Sequence, residues 1–360
     1  MPDPLLKRIE LGLRRTLITA LVRLSRRTRQ RGELALAAEA RILLLRHDRF
    51  GDAIVSTAII KLLRDRLPHA RIDILLGHRN RTIAPLLPAI DTAVVVESGV
   101  RGLLAVRSEL HRRRYDVVIN LLAKDSSSGA LLAVLSGARV RIGFEGALSD
   151  IYDFAVPRPN RRMHIVPQTA LLLAPFGIAP LADAPRREPE MLELCVGIPV
   201  SETGPRSIVG RAPRIVVSIS ARDDVHTWPD RNIPALVRAL AGEGFSWTVV
   251  GTAAHRARVD SIVAAEPSIE ALPPTDSFAA FVASLAAFDI IVTPQTSTVH
   301  VGSALRRATI LLNTTSESDS QWTPWGVPSR TLAGATLAAI PVDDVARAVR
   351  SLVAELRGTA

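Results

Sequence analysis

Three short stretches hold the side chains that could do chemistry. The first is Arg46-His47-Asp48-Arg49-Phe50-Gly51-Asp52. It follows the apolar run 42–45 and precedes an amphipathic stretch with Ile54, Val55, Ala58, Ile59 and Leu62 on one side. That pattern predicts strand, turn and helix. Gly51 lets the backbone turn tightly, and Asp52 falls where a helix N-terminus favours a carboxylate. Taken alone, this stretch reads Asp52 as a cap of that helix. A helix N-terminus lowers a carboxylate's pKa, which would weaken Asp52 as a base.

The second stretch is DIIVTPQTSTVHVGSAL, residues 289–305. An apolar strand ends at Thr293-Pro294, and Gln295-Thr296-Ser297-Thr298 leads into a helix carrying His300. Free N–H groups there, with the helix dipole behind them, make an anion site, and the hydroxyls add donors. An ordinary capped helix with His300 in the core would use the same residues. The third stretch is SISARDDVHTWP, residues 218–229. Ser220, Arg222 and His226 follow a strand end and precede Trp228-Pro229 at a helix start. Asp223-Asp224 could ligate a divalent cation. With no further ligand beside them, they are read as solvated loop carboxylates, and no residue is assigned to a metal. No GxxxxGK[ST] occurs, no GxGxxG opens a helix after a strand, and GxSxG and HExxH are absent. A tightly bound cofactor is therefore not expected.

The elements that must position these loops are legible as short apolar runs. Residues 42–45, 72–75, 93–96, 117–121 and 140–142 read as strands, with helical patterns between them, as at 103–113 and 129–135. The rhythm stops over 176–213, which holds six prolines among polar pieces. It resumes at 215–219, 247–250, 269–271, 290–292 and 309–312, with helical patterns between. The class is α/β: two parallel sheets with helices on both faces and a ligand cleft expected between the halves. The expected division is an N-terminal arm over 1–40, a first domain over 41–178, a connection over 179–213, a second domain over 214–341 and a C-terminal helix over 342–360.

Composition narrows the partners. The chain has 360 residues and is 48% hydrophobic, enough to bury two cores. Its lone cysteine, Cys195, excludes an intramolecular disulfide and any multi-cysteine metal site. Nine Lys or Arg and two acids fall in residues 1–31, so seven of the ten net positive charges sit there. The rest of the chain is close to balanced, and aromatics are 4%. A nucleic-acid surface is not expected. Leu6, Ile9, Leu13, Leu17, Leu21 and Leu24 form one stripe of a helix over 5–24, with Arg8, Arg15 and Arg23 off it. Such a helix can lie on an anionic membrane surface, or pack on the protein's own body, or be a solvated basic arm. Its uncharged run is too short to span a bilayer, and charges interrupt any secretory signal.

Taken in order, these stretches resemble the heptosyltransferase family, glycosyltransferase family 9. Arg46, four residues and Gly51-Asp52 resemble its opening RxxxxGD. YDVVINLLAKDSSSGALLAVLSGARVRIGF at 115–144 is similar to its YDxVIDL…LAGAxxRIGF segment. His164 followed by LLLAPFGI at 171–178 is similar to its H…LL..LGI element. Trp228-Pro229 matches KxWP in part, TPQTSTVHVGSAL matches TPDTGxxHLAAAL in part, and QWTPWG at 321–326 is similar to its closing W.P.G. The likeness covers residues 41–335.

The resemblance implies a GT-B fold of two Rossmann-like domains facing a central cleft. The first domain would receive a glycolipid or oligosaccharide acceptor such as the lipopolysaccharide core. The second would hold a nucleotide sugar resembling ADP-heptose as substrate. Transfer would invert the anomeric carbon without a required divalent metal. Asp52 would be the base, and Ser220, Arg222, His226, Gln295, Thr296, Ser297 and His300 would bind the donor. Arg46, Arg79, Arg81 and Lys124 would contact the acceptor. The place implied is the cytoplasmic face of a bacterial inner membrane, with residues 1–31 on the lipid. Three positions depart from the pattern. His226 stands for its lysine, Gln295 for its aspartate and Ser297 for its glycine. Lysine gives a diphosphate a fixed charge, and histidine does so only when protonated. The alternative these departures suggest is a catalytically silent GT-B protein that binds glycan or nucleotide and partners another transferase.

Overall fold

The computed structural model describes residues 20, 24–159, 163–178, 192–198, 208–315 and 321–358. The predicted helix over 5–24 lies outside the described residues except at two positions, and most of the connection over 179–213 also lies outside them. The chain forms two compact units. The first is Met1–Ala84 with Pro88–Leu192, and the second is Pro85–Leu87 with Glu193–Ala360.

The first unit holds a six-stranded parallel sheet in the order β3-β2-β1-β4-β5-β6. Its strands are β1 Arg41–Leu45, β2 Arg71–Gly77, β3 Thr92–Val96, β4 Val117–Asn120, β5 Val140–Phe144 and β6 Phe154–Val156. β1 is central, paired with β2 and β4, and Ile42–Leu45 are fully buried. That is why it reads as a continuous apolar run and not as an alternation. Leu43 and Leu45 pack with Val106 and Leu110 of helix Gly99–Arg113 and with Ala130 and Leu132 of helix Ser127–Leu135. Each such buried leucine contributes about 1.5–3 kcal/mol.

The second unit repeats the plan in the order β12-β11-β10-β7-β8-β9. Its strands are β7 Arg214–Ser218, β8 Ser246–Val250, β9 Ile269–Ala271, β10 Ile290–Pro294, β11 Ala308–Thr314 and β12 Ser329–Gly334. Buried Asp289 anchors the start of β10. It accepts two hydrogen bonds from Arg211, at 2.6 and 2.7 Å, and one from the Arg214 backbone N–H at 2.8 Å. Helix Val342–Gly358 lays Val345, Val349, Leu352 and Val353 into this core.

The sequence reading missed one strand in each sheet, β6 and β12. Both are edge strands. β6 has three residues, and β12, SRTLAG, is only half-buried. Neither presents the apolar run that identifies a central strand. A second difference lies after β1. The single helix expected there is two, Phe50–Val55 and Thr57–Arg66, broken at Ser56. The Ser56 hydroxyl bonds back to the Asp52 carbonyl at 2.8 Å, a contact that bends helices.

The last part of the basic arm runs along the first unit. The Arg27 and Gln30 amides donate to the Asp150 and Asp153 carbonyls. Arg26 faces Asp150 at 3.7 Å and Arg29 faces Glu145 at 3.3 Å. These contacts fix residues 26–30, which follow the stretch expected as a helix over 5–24. No helix among the described residues is long and apolar enough to cross a membrane.

Candidate active site

The strand order brings the three chemical stretches to equivalent places. In each sheet the chain winds outward in both directions from one central pair, β1 with β4 and β7 with β10. Loops that leave the C-terminal ends of such a pair diverge and open a crevice. Asp52 follows β1, and Lys124 and Ser126 follow β4. Ser220, Arg222 and His226 follow β7, and Gln295–Ser297 follow β10.

At the first site Asp52 stands in the first turn of helix Phe50–Val55. The cap position is Arg49, which makes no side-chain cap bond, and the Asp52 carboxylate accepts from its own backbone N–H in the first turn. Its side chain is 16% exposed, with Oδ1 3.6 Å from Arg46 Nη1. Burial pushes the Asp52 carboxyl up to about 6 against the pull of Arg46, and the neighbouring Asp48 adds to the rise. The expected lowering by the helix terminus is overturned. A helix of six residues carries a weak dipole, and desolvation of a carboxylate outweighs it.

Arg46 holds the loop together. Expected to reach the acceptor, it is instead only 1% exposed. Nε donates to Ser56 Oγ at 2.8 Å, Nη2 to the Leu121 carbonyl at 2.7 Å and Nη1 to Asp48 Oδ2 at 3.3 Å. It thus ties the β1 loop to the helix break and to the end of β4. His47 crosses to the same neighbour, its Nε2 2.9 Å from Ser128 Oγ, and burial lowers its pKa and keeps it neutral. Ser126 caps the helix that carries Ser128. At the end of β2, a side chain on Gly77 would meet the His47 carbonyl at 2.4 Å, so only glycine fits there.

The other expected acceptor contacts are spread out. Arg79 is exposed after β2, and Arg81 pairs with Glu97 at 2.9 Å, which His78 also contacts at 2.7 Å. Lys124 is exposed after β4 and lines a small pocket with Asn120, Ser126, Tyr152 and Arg158.

At the second site Thr296 caps helix Ser297–Ala304 by accepting from the Thr298 N–H at 3.3 Å. Gln295, Thr296 and Ser297 are half-buried. His300 does not stand open at the helix start. It is 5% exposed, and its ring meets Trp322 edge-on with centroids 5.7 Å apart. The Trp325 N–H donates to Ser303 Oγ at 2.9 Å, so the QWTPWG turn is packed onto this helix. After β7, Ser220 is half-buried and Arg222 exposed. His226 Nδ1 lies 2.5 Å from Asp223 Oδ1, and this bond lowers the Asp223 pKa. Arg222 Nε is 3.4 Å from Asp223 Oδ2. Asp223 is therefore engaged with Arg222 and with the His226 ring, although half of its side chain stays exposed. Among the described residues no three His, Cys, Asp or Glu side chains gather as a metal site would need.

His47, Asp48, Ser128 and Trp322 belong to these sites and were given no role from sequence, although all four lie in the quoted stretches. Two of them meet partners from distant parts of the fold, as His47 meets Ser128.

The chain is similar to three solved structures. One is glycosyltransferase family 9 from Veillonella parvula, at 17% identity, covering 88% of this chain and 97% of that one with a TM-score of 0.72. ADP-heptose lipopolysaccharide heptosyltransferase II of E. coli is 21% identical, over 88% and 99%, with a TM-score of 0.70. E. coli heptosyltransferase WaaC with ADP-2-deoxy-2-fluoro heptose is 17% identical, over 88% and 99%, with a TM-score of 0.68. At such identities the likeness is one of fold, the pair of Rossmann-like units called GT-B. No curated protein sequence matches the chain. The model of glycosyltransferase family 9 (heptosyltransferase) matches residues 103–341, taking in the second site and the pocket of the first unit but not Asp52. With that match and the shared fold, this chain belongs to glycosyltransferase family 9.

Proposed function

We propose that the protein is an inverting transferase that moves a heptose-like sugar from an ADP-heptose-like donor to a lipopolysaccharide-core or other envelope glycan. Family membership supports the reaction class. The single observation that carries the mechanism is Asp52, a carboxyl at the crevice of the first sheet, held at about 6 by burial. A base poised near working pH is what general base catalysis needs.

The first unit takes the acceptor and the second takes the donor. As the acceptor oxygen bonds to the anomeric carbon, its proton passes to Asp52. The bond from that carbon to the diphosphate breaks, and the diphosphate leaves with the electron pair. The N–H groups at the start of helix Ser297–Ala304, with Thr296, Ser297 and Gln295, stabilise the developing charge. Ser220 adds a hydroxyl donor, and Arg222 and His226 add positive charge. His300 acts from the interior by supporting Trp322. Lys124, Arg79 and Arg81 contact acceptor phosphates.

The test is release of ADP from ADP-heptose by the purified full chain, with and without a core lipopolysaccharide acceptor. Acceptor-dependent release is expected, and it should survive exhaustive chelation of divalent metal. His226→Ala should lower turnover several-fold, while His226→Lys should keep it. Absence of acceptor-dependent release across ADP, UDP and GDP sugars overturns the reading in favour of a silent binding partner. A second proposal concerns residues 1–31, whose charges are each worth ~1 kcal/mol near an anionic surface. Deletion of residues 1–24, which keeps the contacts of Arg26, Arg27, Arg29 and Gln30, should release the protein from anionic vesicles and leave turnover on a soluble acceptor intact. Vesicle binding that persists after the deletion counts against an inner-membrane location through this arm.

A further inference from the structure

The loop after β1 contains a second carboxylate that the reaction described above does not use. Asp48 Oδ2 lies 3.3 Å from Arg46 Nη1, and Asp52 Oδ1 lies 3.6 Å from the same nitrogen. Arg46 turns this one nitrogen toward both of them. Its Nε is committed to Ser56 and its Nη2 to the Leu121 carbonyl. One buried guanidinium nitrogen therefore faces two carboxylates. Asp48 is 28% exposed on its side chain, yet its Oδ1 is buried and has no hydrogen-bond partner among the described residues. Its charge is not absorbed by a backbone cap or a second cation.

We propose that Asp48 is a positioning residue for the transfer: by sharing the single Arg46 nitrogen with Asp52, it stops that arginine from neutralising Asp52 and so maintains Asp52 as a proton acceptor. This rests on the reading of Asp52 as the base. A lone buried Arg–Asp pair closes into a charge-assisted bond and makes the carboxylate a poor base. Splitting one cation between two carboxylates leaves each underpaired, and the like charge favours a proton on the more buried of the two. The charged groups that act on Asp52 are Arg46, Asp48 and Arg49, all from this one loop. His47, between them, adds no charge because burial disfavours its protonation.

The loop geometry explains how the pair is held. The Arg46 amide donates to the Leu75 carbonyl at 2.9 Å, and Asn80 Nδ2 donates to the Arg46 carbonyl at 2.9 Å. His47 is fixed to Ser128. With residues 46 and 47 held by β2, by the loop after it and by the helix after β4, Asp48 is presented beside Asp52, and the two carboxylates meet at Arg46.

Carboxyl-carbon NMR of the full chain labelled at aspartate Cγ tests this directly. The Asp52 signal is the one that Asp52→Asn removes. Asp48→Asn should lower the Asp52 titration midpoint by about one pH unit, since the like charge is gone and Arg46 is free to close on Asp52. Asp48→Glu, which keeps the charge, should leave the midpoint near that of the wild type. Asp48→Ser serves as a second neutral variant if the asparagine form does not fold. The acid limb of ADP release from ADP-heptose should move down in parallel, with a plateau about threefold lower because a weaker base transfers a proton less readily. A midpoint unchanged in both neutral variants overturns the proposal. So does an equal fall in Asp48→Glu, which would assign the effect to packing. A midpoint that moves while the acid limb stays in place leaves the carboxylate pair standing and sinks the reading of Asp52 as the base.

Discussion

Asp52→Asn is expected to lose at least ~10²-fold in turnover, because a positioned base contributes ~10²–10⁴-fold. The same substitution is expected to make the protein more stable at neutral pH. The Asp52 carboxyl is raised from 3.8 to about 6, so the folded state holds this proton more readily than the unfolded chain. Stability from that proton is fully present below about pH 4 and is lost as pH rises through about 6. Above that, the ionised carboxylate costs the fold about 3 kcal/mol. Asparagine resembles the protonated form and avoids the cost. Denaturant melts should therefore place Asp52→Asn about 1–3 kcal/mol above the wild type near pH 7.5, with the two converging near pH 4. Turnover that falls with no gain in stability would mean that Asp52 is not a desolvated carboxylate. Normal turnover would remove it from the reaction. The combination of lower activity and higher stability is the mark of a residue kept for chemistry at a cost to folding.

Arg46→Leu is expected to cost about 3–5 kcal/mol, the effect of removing one side of a buried ion pair. Here the loss is compounded. Asp48 and Asp52 would face each other without a cation, and Ser56 Oγ and the Leu121 carbonyl would lose their donor. The acid limb of turnover should move to higher pH, since neither carboxylate is then held ionised. Arg46→Lys supplies charge but cannot reach three separate partners at once, so it should recover only part of the stability. Equilibrium denaturation and a pH–rate profile on the three proteins decide the matter. A loss under about 1 kcal/mol in Arg46→Leu would mean that the loop does not depend on this side chain.

The sequence by itself determined the architecture. Central strands of a parallel sheet are buried on both faces, so they are written as apolar runs such as 42–45 and 290–292, and the loops that follow them are found by counting. It also determined the family, through motifs that lie mostly in those loops. Edge strands β6 and β12 were not legible: β6 is only three residues long, and β12 is half-exposed and needs no apolar run. What only the tertiary structure decided was the electrical state of the loop residues. Arg46 and Asp52 read from sequence as a surface cation and a helix-end anion. Strand order sets β1 beside β4 and so buries Arg46 against Leu121 and Ser56, while the exposed arginines elsewhere keep their water. Burial then raises the Asp52 carboxyl where helix position alone predicted a fall. Local sequence specifies which groups are present and on which element. Desolvation depends on what is packed around them, and distant strands supply that packing.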